Sequence, residues 1–187
     1  MLSLGEFMQP DTEIGNARPL LRGRLQPPRP PPTPIHRPAL FDRLHAGVDR
    51  ALTLISAPAG SGKTTLLSAW LTAQPRPWAW VGLDPYDSEL TAFVRYLVAA
   101  MQTVDPGVGR ATLGLLQLPQ LPPVDYIATT LLDELAALPG ACILAIDDYH
   151  LIKDPTAHAL VSQLISGLPP TVRLLIATRS DPPLPLH

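Results

Sequence analysis

The chain has one cysteine, Cys142, so no disulfide can form within it, and the apolar residues flanking that cysteine mark it as a buried thiol. Nothing in this usage points to an oxidising compartment. A basic run is also missing. With 14 Lys and Arg against 16 Asp and Glu, the net charge is −2, and the chain lacks the electrostatic footprint of a nucleic-acid binder. Direct nucleic-acid binding by this chain is therefore not expected. The first residues include Glu6 and Asp11 and show no basic segment followed by a long apolar stretch. They resemble neither a secretory leader nor a membrane anchor, so the default expectation is cytoplasmic residence without a membrane partner. Five histidines (His36, His45, His150, His158 and His187) have no ligand spacing with one another or with Cys142, which argues against zinc.

Proline, by contrast, is in excess. The 24 prolines among 187 residues are far above the usual ~5%. Pro27, Pro28, Pro30, Pro31, Pro32 and Pro34 cannot donate backbone hydrogen bonds, so residues 1–34 read as an irregular, polyproline-like arm. Hydrophobic residues make up 46% of the chain, enough for one domain over 35–187 with a real core.

Within that domain the periodicity predicts alternating helices and short apolar strands. A helix from Arg37 through Leu40, Phe41 and Leu44, with Pro38 in its first turn, precedes a strand over 52–56. A second strand over 78–83 leads to a helix whose apolar face is Leu90, Phe93, Leu97 and Met101. A short helix around 112–116 and a longer one carrying Ile127, Leu131, Leu132 and Leu135 come next. The third strand, 142–146, ends in Asp147 and Asp148. Asp154 as N-cap and Pro155 open another helix, and the last strand spans 172–177. Four apolar strands separated by helices imply an α/β fold with a mostly parallel sheet covered on both faces.

The chemistry concentrates where the first strand meets the next helix. Ala57-Pro58-Ala59-Gly60-Ser61-Gly62-Lys63-Thr64 matches the phosphate-loop pattern G-x-x-x-x-G-K-[ST] except that Ala57 replaces the first glycine. Gly60 and Gly62 permit backbone turns that let successive N–H groups curl around a phosphate. The following helix leaves its first N–H groups free to point at the same anion. Several N–H bonds to charged phosphate, at ~1.5–3 kcal/mol each, outweigh the ~0.3–1 kcal/mol of the helix dipole alone. Lys63 is placed to reach the β- and γ-phosphates and the Thr64 hydroxyl to bind Mg²⁺. Downstream, the strand ending in Asp147 delivers a carboxylate that suits Mg²⁺, and Asp148 is a candidate to orient or deprotonate an attacking water. Arg179, at the end of the last strand, can contact a γ-phosphate; its alternative is a surface pair with Asp181. Strand carboxyl ends are where such sheets bind ligands, and all three clusters fall there.

Three runs together, residues 52–67, 146–152 and 177–186, resemble the N-terminal ATPase module of the large MalT-like, LuxR-type transcription regulators, members of the STAND class of signalling NTPases. The resemblance implies a P-loop NTPase three-layer sandwich with a mostly parallel sheet, and a switch held off by ADP and turned on by ATP plus an inducer. It implies that Ala59, Gly60, Ser61, Gly62, Lys63, Thr64 and Thr65 bind nucleotide, and that Thr64 and Asp147 hold Mg²⁺. Lys63, Asp148 and Arg179 are then the catalytic set, and adenine contacts fall near Ile35 to Arg37. Such modules continue into a fifth strand, a winged-helix domain, a helical-repeat sensor and a C-terminal helix-turn-helix, none of which precedes His187. The expectation is therefore a truncated sheet with the loop-bearing strand at an open edge, prone to self-association, with slow or absent hydrolysis. Two other readings compete. A P-loop small-molecule kinase needs an arginine-bearing lid, and no arginine lies between Arg110 and Arg173. A non-catalytic interaction fragment would pair through its open edge irrespective of nucleotide.

Overall fold

A computed structural model describes residues 20–29 and 37–185. Four strands, β1 (Leu52–Ser56), β2 (Trp78–Gly82), β3 (Cys142–Asp147) and β4 (Val172–Thr178), form one all-parallel sheet in the order β1-β4-β3-β2. Among the described residues six α-helices surround it: α1 (Pro38–Gly47), α2 (Lys63–Thr72), α3 (Leu90–Met101), α4 (Arg110–Leu115), α5 (Val124–Ala136) and α6 (Pro155–Gly167).

Alternation along the central strands sorts side chains into two cores. Cys142, Leu144 and Ile146 of β3 point to the side packed with α3, α5 and α6, while Ile143 and Ala145 face α1 and α2. Trp70 of α2 and Trp80 of β2 are fully buried in the second, smaller core. Both faces of the sheet are thus covered, as an all-parallel sheet requires. Burial pushes the Cys142 thiol pKa upward, so this cysteine is an inert core residue.

Register places the site. Ser56 pairs with Thr178, Ile146 with Ile176 and Gly82 with Asp147, so the carboxyl ends of all four strands are nearly level. Among the described residues β1 pairs with β4 alone, which puts the strand feeding the glycine loop at a sheet edge, as expected.

Local capping explains the helix starts. Asp154 accepts from the Thr156 N–H at 2.8 Å to cap α6, and its other oxygen accepts from the Leu90 N–H at 3.1 Å at the start of α3. The fourth helix begins at Arg110, ahead of the expected 112. The Glu134 carboxylate of α5 accepts from the N–H groups of Ala111 and Thr112 at 2.9 and 3.2 Å, a cap from a distant part of the chain.

The N-terminal segment differs from a free extended arm over its described part. Arg22–Leu25 forms a 3-10 turn lying against β2, and the Ser68 hydroxyl of α2 donates to the Pro28 carbonyl at 3.3 Å. The Arg24 guanidinium forks onto both oxygens of buried Asp87 and lies 4.6 Å above the Tyr96 ring. Residues 1–19 and the proline run 30–34 lie outside the described residues. No helix among the described residues is long and apolar enough to cross a membrane.

Candidate functional site

Between β1 and α2 the chain makes the tight loop that the glycines anticipate. Gly60 and Gly62 have φ of 76° and 81°, in the left-handed region that costs other residues about 1–2 kcal/mol. A Cβ on Gly60 would meet nothing within 4 Å, so packing does not demand glycine there; the backbone turn does. Ala57, by contrast, is outside that region, since Asp148 is the sole non-glycine residue with positive φ among those described. This explains why alanine can stand at the first motif position: its N–H simply continues the sheet, donating to the Thr178 carbonyl at 3.2 Å.

Lys63 is folded into this loop. It is 9% exposed, and its ammonium donates to the Ala57 carbonyl at 2.6 Å, the Pro58 carbonyl at 3.0 Å and the Ser61 hydroxyl at 3.5 Å. Gly62, the N-cap of α2, provides no side-chain cap, so the first-turn amides stay available to an anion. Thr65 is half-buried in that turn and Ala59 exposed in the loop.

Asp147 meets Thr64 across the sheet end. The Thr64 hydroxyl donates to Asp147 Oδ2 at 2.6 Å, and the Asp148 N–H donates to Oδ1 at 2.9 Å. Burial pushes the Asp147 pKa above its ordinary value. The Thr64 bond opposes the shift, the Asp148 charge adds to it, and the Lys63 charge opposes it in turn. The result is a buried carboxylate whose direct partners are uncharged. Two hard oxygen donors side by side suit Mg²⁺, which takes one or two protein ligands and leaves its other positions to phosphate and water. Among the described residues no group of three or more His, Cys, Asp or Glu could hold a metal, so an all-protein cage is not on offer.

Asp148 sits next to this pair in a left-handed conformation, φ 56° and ψ 35°. His150 Nδ1 lies 3.8 Å from its Oδ1. Arg179 follows β4 directly and is exposed; among the described residues it makes no hydrogen bond or ion pair, with Asp181 or any other group. Its charge, after burial, is the second cause holding the His150 pKa below the ordinary value.

Arg37, the N-cap of α1, donates from Nη1 to the Ser61 carbonyl at 3.0 Å. The guanidinium thus braces the loop while also lining a cleft of about 320 Å³ between α1 and β1, walled by Leu40, Leu44, Leu54 and Ile55 and reaching Lys63. An adenine contact from Ile35 falls outside the described residues. Metal-ligand spacing does not single out His150 among the five histidines. The signal it carried was position: two residues beyond Asp148, a tight turn brings a side chain back beside the acid.

A lysine folded into a glycine loop, with a strand-end carboxylate against the threonine that follows, at the carboxyl ends of a parallel sheet, defines a P-loop ATPase. The model of the AAA ATPase domain family matches residues 38–177, and the chain belongs to that family. It is 31% identical over 150 residues to the HTH-type transcriptional regulator MalT of Vibrio cholerae, covering 80% of this chain. To MalT of Cronobacter sakazakii it is 34% identical over 148 residues, 79% of this chain. In each case the chain spans only 16% of the relative's length. The resemblance to the ATPase module of MalT-like regulators, read from three motifs, is thereby borne out.

Two solved structures share the fold. A Walker-type ATPase of Pyrococcus abyssi superposes with a TM-score of 0.52 at 16% identity, over 76% of this chain and 45% of that one. Cdc6p from Pyrobaculum aerophilum gives 0.51 at 15% identity, over 87% and 44%. At such identities the likeness speaks to the fold alone.

Proposed function

We propose that this chain is the ATP- and ADP-binding switch module of a LuxR-type transcription regulator, working in the cytoplasm, with inducer sensing and DNA binding residing in other parts of such a protein. The observation that carries the reading is the convergence of the Lys63 ammonium, the Thr64 hydroxyl and the Asp147 carboxylate at one sheet end. Lys63 is held by neutral carbonyls; a triphosphate replaces them with charged oxygens, and charge-assisted bonds of this kind are about twice as strong. The amides of Gly60, Ser61, Gly62, Thr64 and Thr65 receive the phosphates, and the apolar cleft beside Arg37 receives the base. Mg²⁺, held by Thr64 and Asp147, neutralises phosphate charge when bound.

Hydrolysis then needs a base and a counter-charge. Asp148 takes a proton from water, the water oxygen bonds to the γ-phosphorus, and the bond to the β–γ bridging oxygen breaks to leave ADP and phosphate. Arg179, with no partner of its own among the described residues, stabilises charge on the transferring group and distinguishes ATP from ADP.

Titration with fluorescent ATP and ADP, with and without Mg²⁺, on wild type and Lys63→Ala tests this. Loss of about 1.5–3 kcal/mol of charge-assisted bonding predicts a roughly ten- to hundredfold weaker complex for Lys63→Ala. Equal affinity in the two proteins removes the proposal.

A further inference from the structure

Beyond the residues so far given roles, one polar side chain at this sheet end has no structural employment. His150 has a side chain 14% exposed, and its Nδ1 is buried with no hydrogen-bond partner among the described residues. A buried ring nitrogen left unpaired is disfavoured and calls for an explanation. The nearest acceptor is Asp148 Oδ1 at 3.8 Å, beyond the usual range of about 2.7–3.2 Å. Burial, and then the Arg179 charge, lower the His150 pKa against the opposing charge of Asp148, and with its proton on Nδ1 the imidazole is a prospective N–H donor facing a carboxylate.

The frame around this pair is stiff. The turn Tyr149–Leu151 is closed by the Leu151 N–H on the Asp148 carbonyl and the Ile152 N–H on the Tyr149 carbonyl, both at 3.0 Å. Tyr149 is fully buried, with its hydroxyl 2.9 Å from His158 Nδ1, and the Ser88 hydroxyl accepts from the N–H groups of Lys153 and Asp154. Asp148 itself carries the one left-handed non-glycine backbone among the described residues, the kind of local strain that folds retain where a side chain must be aimed.

We infer that His150 is a positioning residue for Asp148, its Nδ1–H closing onto Oδ1 so that the other carboxylate oxygen is held toward the attacking water. This rests on the reading of Asp148 as the base. An asparagine can imitate the donor, because its amide nitrogen occupies nearly the place of Nδ1, whereas alanine cannot.

The test measures single-turnover ATP hydrolysis and fluorescent-ATP affinity on the wild-type chain, His150→Ala, His150→Asn and Asp148→Asn. Misaiming a base predicts a roughly ten- to hundredfold slower turnover for His150→Ala, with affinity unchanged within about twofold and His150→Asn within about threefold of wild type. Wild-type turnover in His150→Ala alongside a dead Asp148→Asn overturns the positioning role alone, as does an Asn variant as slow as the Ala variant. Undiminished turnover in Asp148→Asn, or none in wild type, removes the base assignment and this inference with it.

Discussion

Asp87 and Asp147 are both buried carboxylates at the carboxyl end of the sheet, with pKa values raised first of all by burial, yet they are treated in opposite ways. Asp87, beside the β2 edge, is gripped by the Arg24 guanidinium and also accepts from the Asp84 N–H at 2.9 Å. Asp147, at the end of β3, has a hydroxyl and one amide as its direct partners. The first charge is satisfied within the chain and serves to fasten the N-terminal segment. The second is buried without a cation in contact, which is what the proposed Mg²⁺ site asks of it. The two sheet edges differ as well: β2 is covered by residues 22–25, whereas among the described residues β1 has no strand on its outer side and borders, with α1, the cleft that leads to Lys63.

The sharpest way to break this contrast is to treat Asp87 like Asp147. Arg24→Ala strips the cation from a carboxylate that is 3% exposed, leaving a charge underpaired in the interior. Unpaired buried polar groups cost about 1–3 kcal/mol, more when charged. Urea unfolding should therefore show a destabilisation in that range, and nucleotide affinity of the folded protein should stay near wild type because Lys63 and Thr64 are untouched. Arg24→Lys keeps the charge but loses the two-pronged geometry, so it should fall between the two. An Arg24→Ala protein as stable as wild type would mean that the N-terminal segment is not fastened through this pair.

The same contrast separates what the sequence made legible from what it did not. Strand and helix identities followed from period and caps: β1 at 52–56 and α6 from Pro155 to Gly167 are where the patterns placed them. Lys63, Thr64 and Asp147 were legible as a set because a motif fixes their relation to a strand end. The Arg24–Asp87 fork was not, because it joins residues 63 apart through a segment whose prolines advertise irregular chain. Glu134 capping α4 was hidden for the same reason. His150 was hidden differently. Its role depends on a distance to Asp148 and on burial, and neither is written in local spacing.

The smallest expected effect is the most diagnostic, because it runs against the usual direction of mutation. Asp147→Asn keeps an oxygen for the Thr64 hydroxyl, gives up the bond from the Asp148 N–H and removes the buried charge, whose loss is expected to outweigh that bond. Since the folded chain holds the Asp147 proton more tightly than the unfolded chain, whose ordinary value is 3.8, the wild type carries a burial penalty at neutral pH. That penalty fades as pH falls through the raised folded pKa toward 3.8 and the carboxyl protonates. Nucleotide-free Asp147→Asn should thus melt at a higher temperature than wild type at pH 7, with the difference shrinking on acidification. With Mg²⁺ and ATP the order should reverse. A ligand at about 100 times its Kd adds about 2.7 kcal/mol to a protein that binds it, and the variant has given up the carboxylate that Mg²⁺ needs. A variant that is less stable than wild type without ligand, or gains as much from Mg²⁺ and ATP, would show that Asp147 is held for the fold, as Asp87 is, and not for a cation.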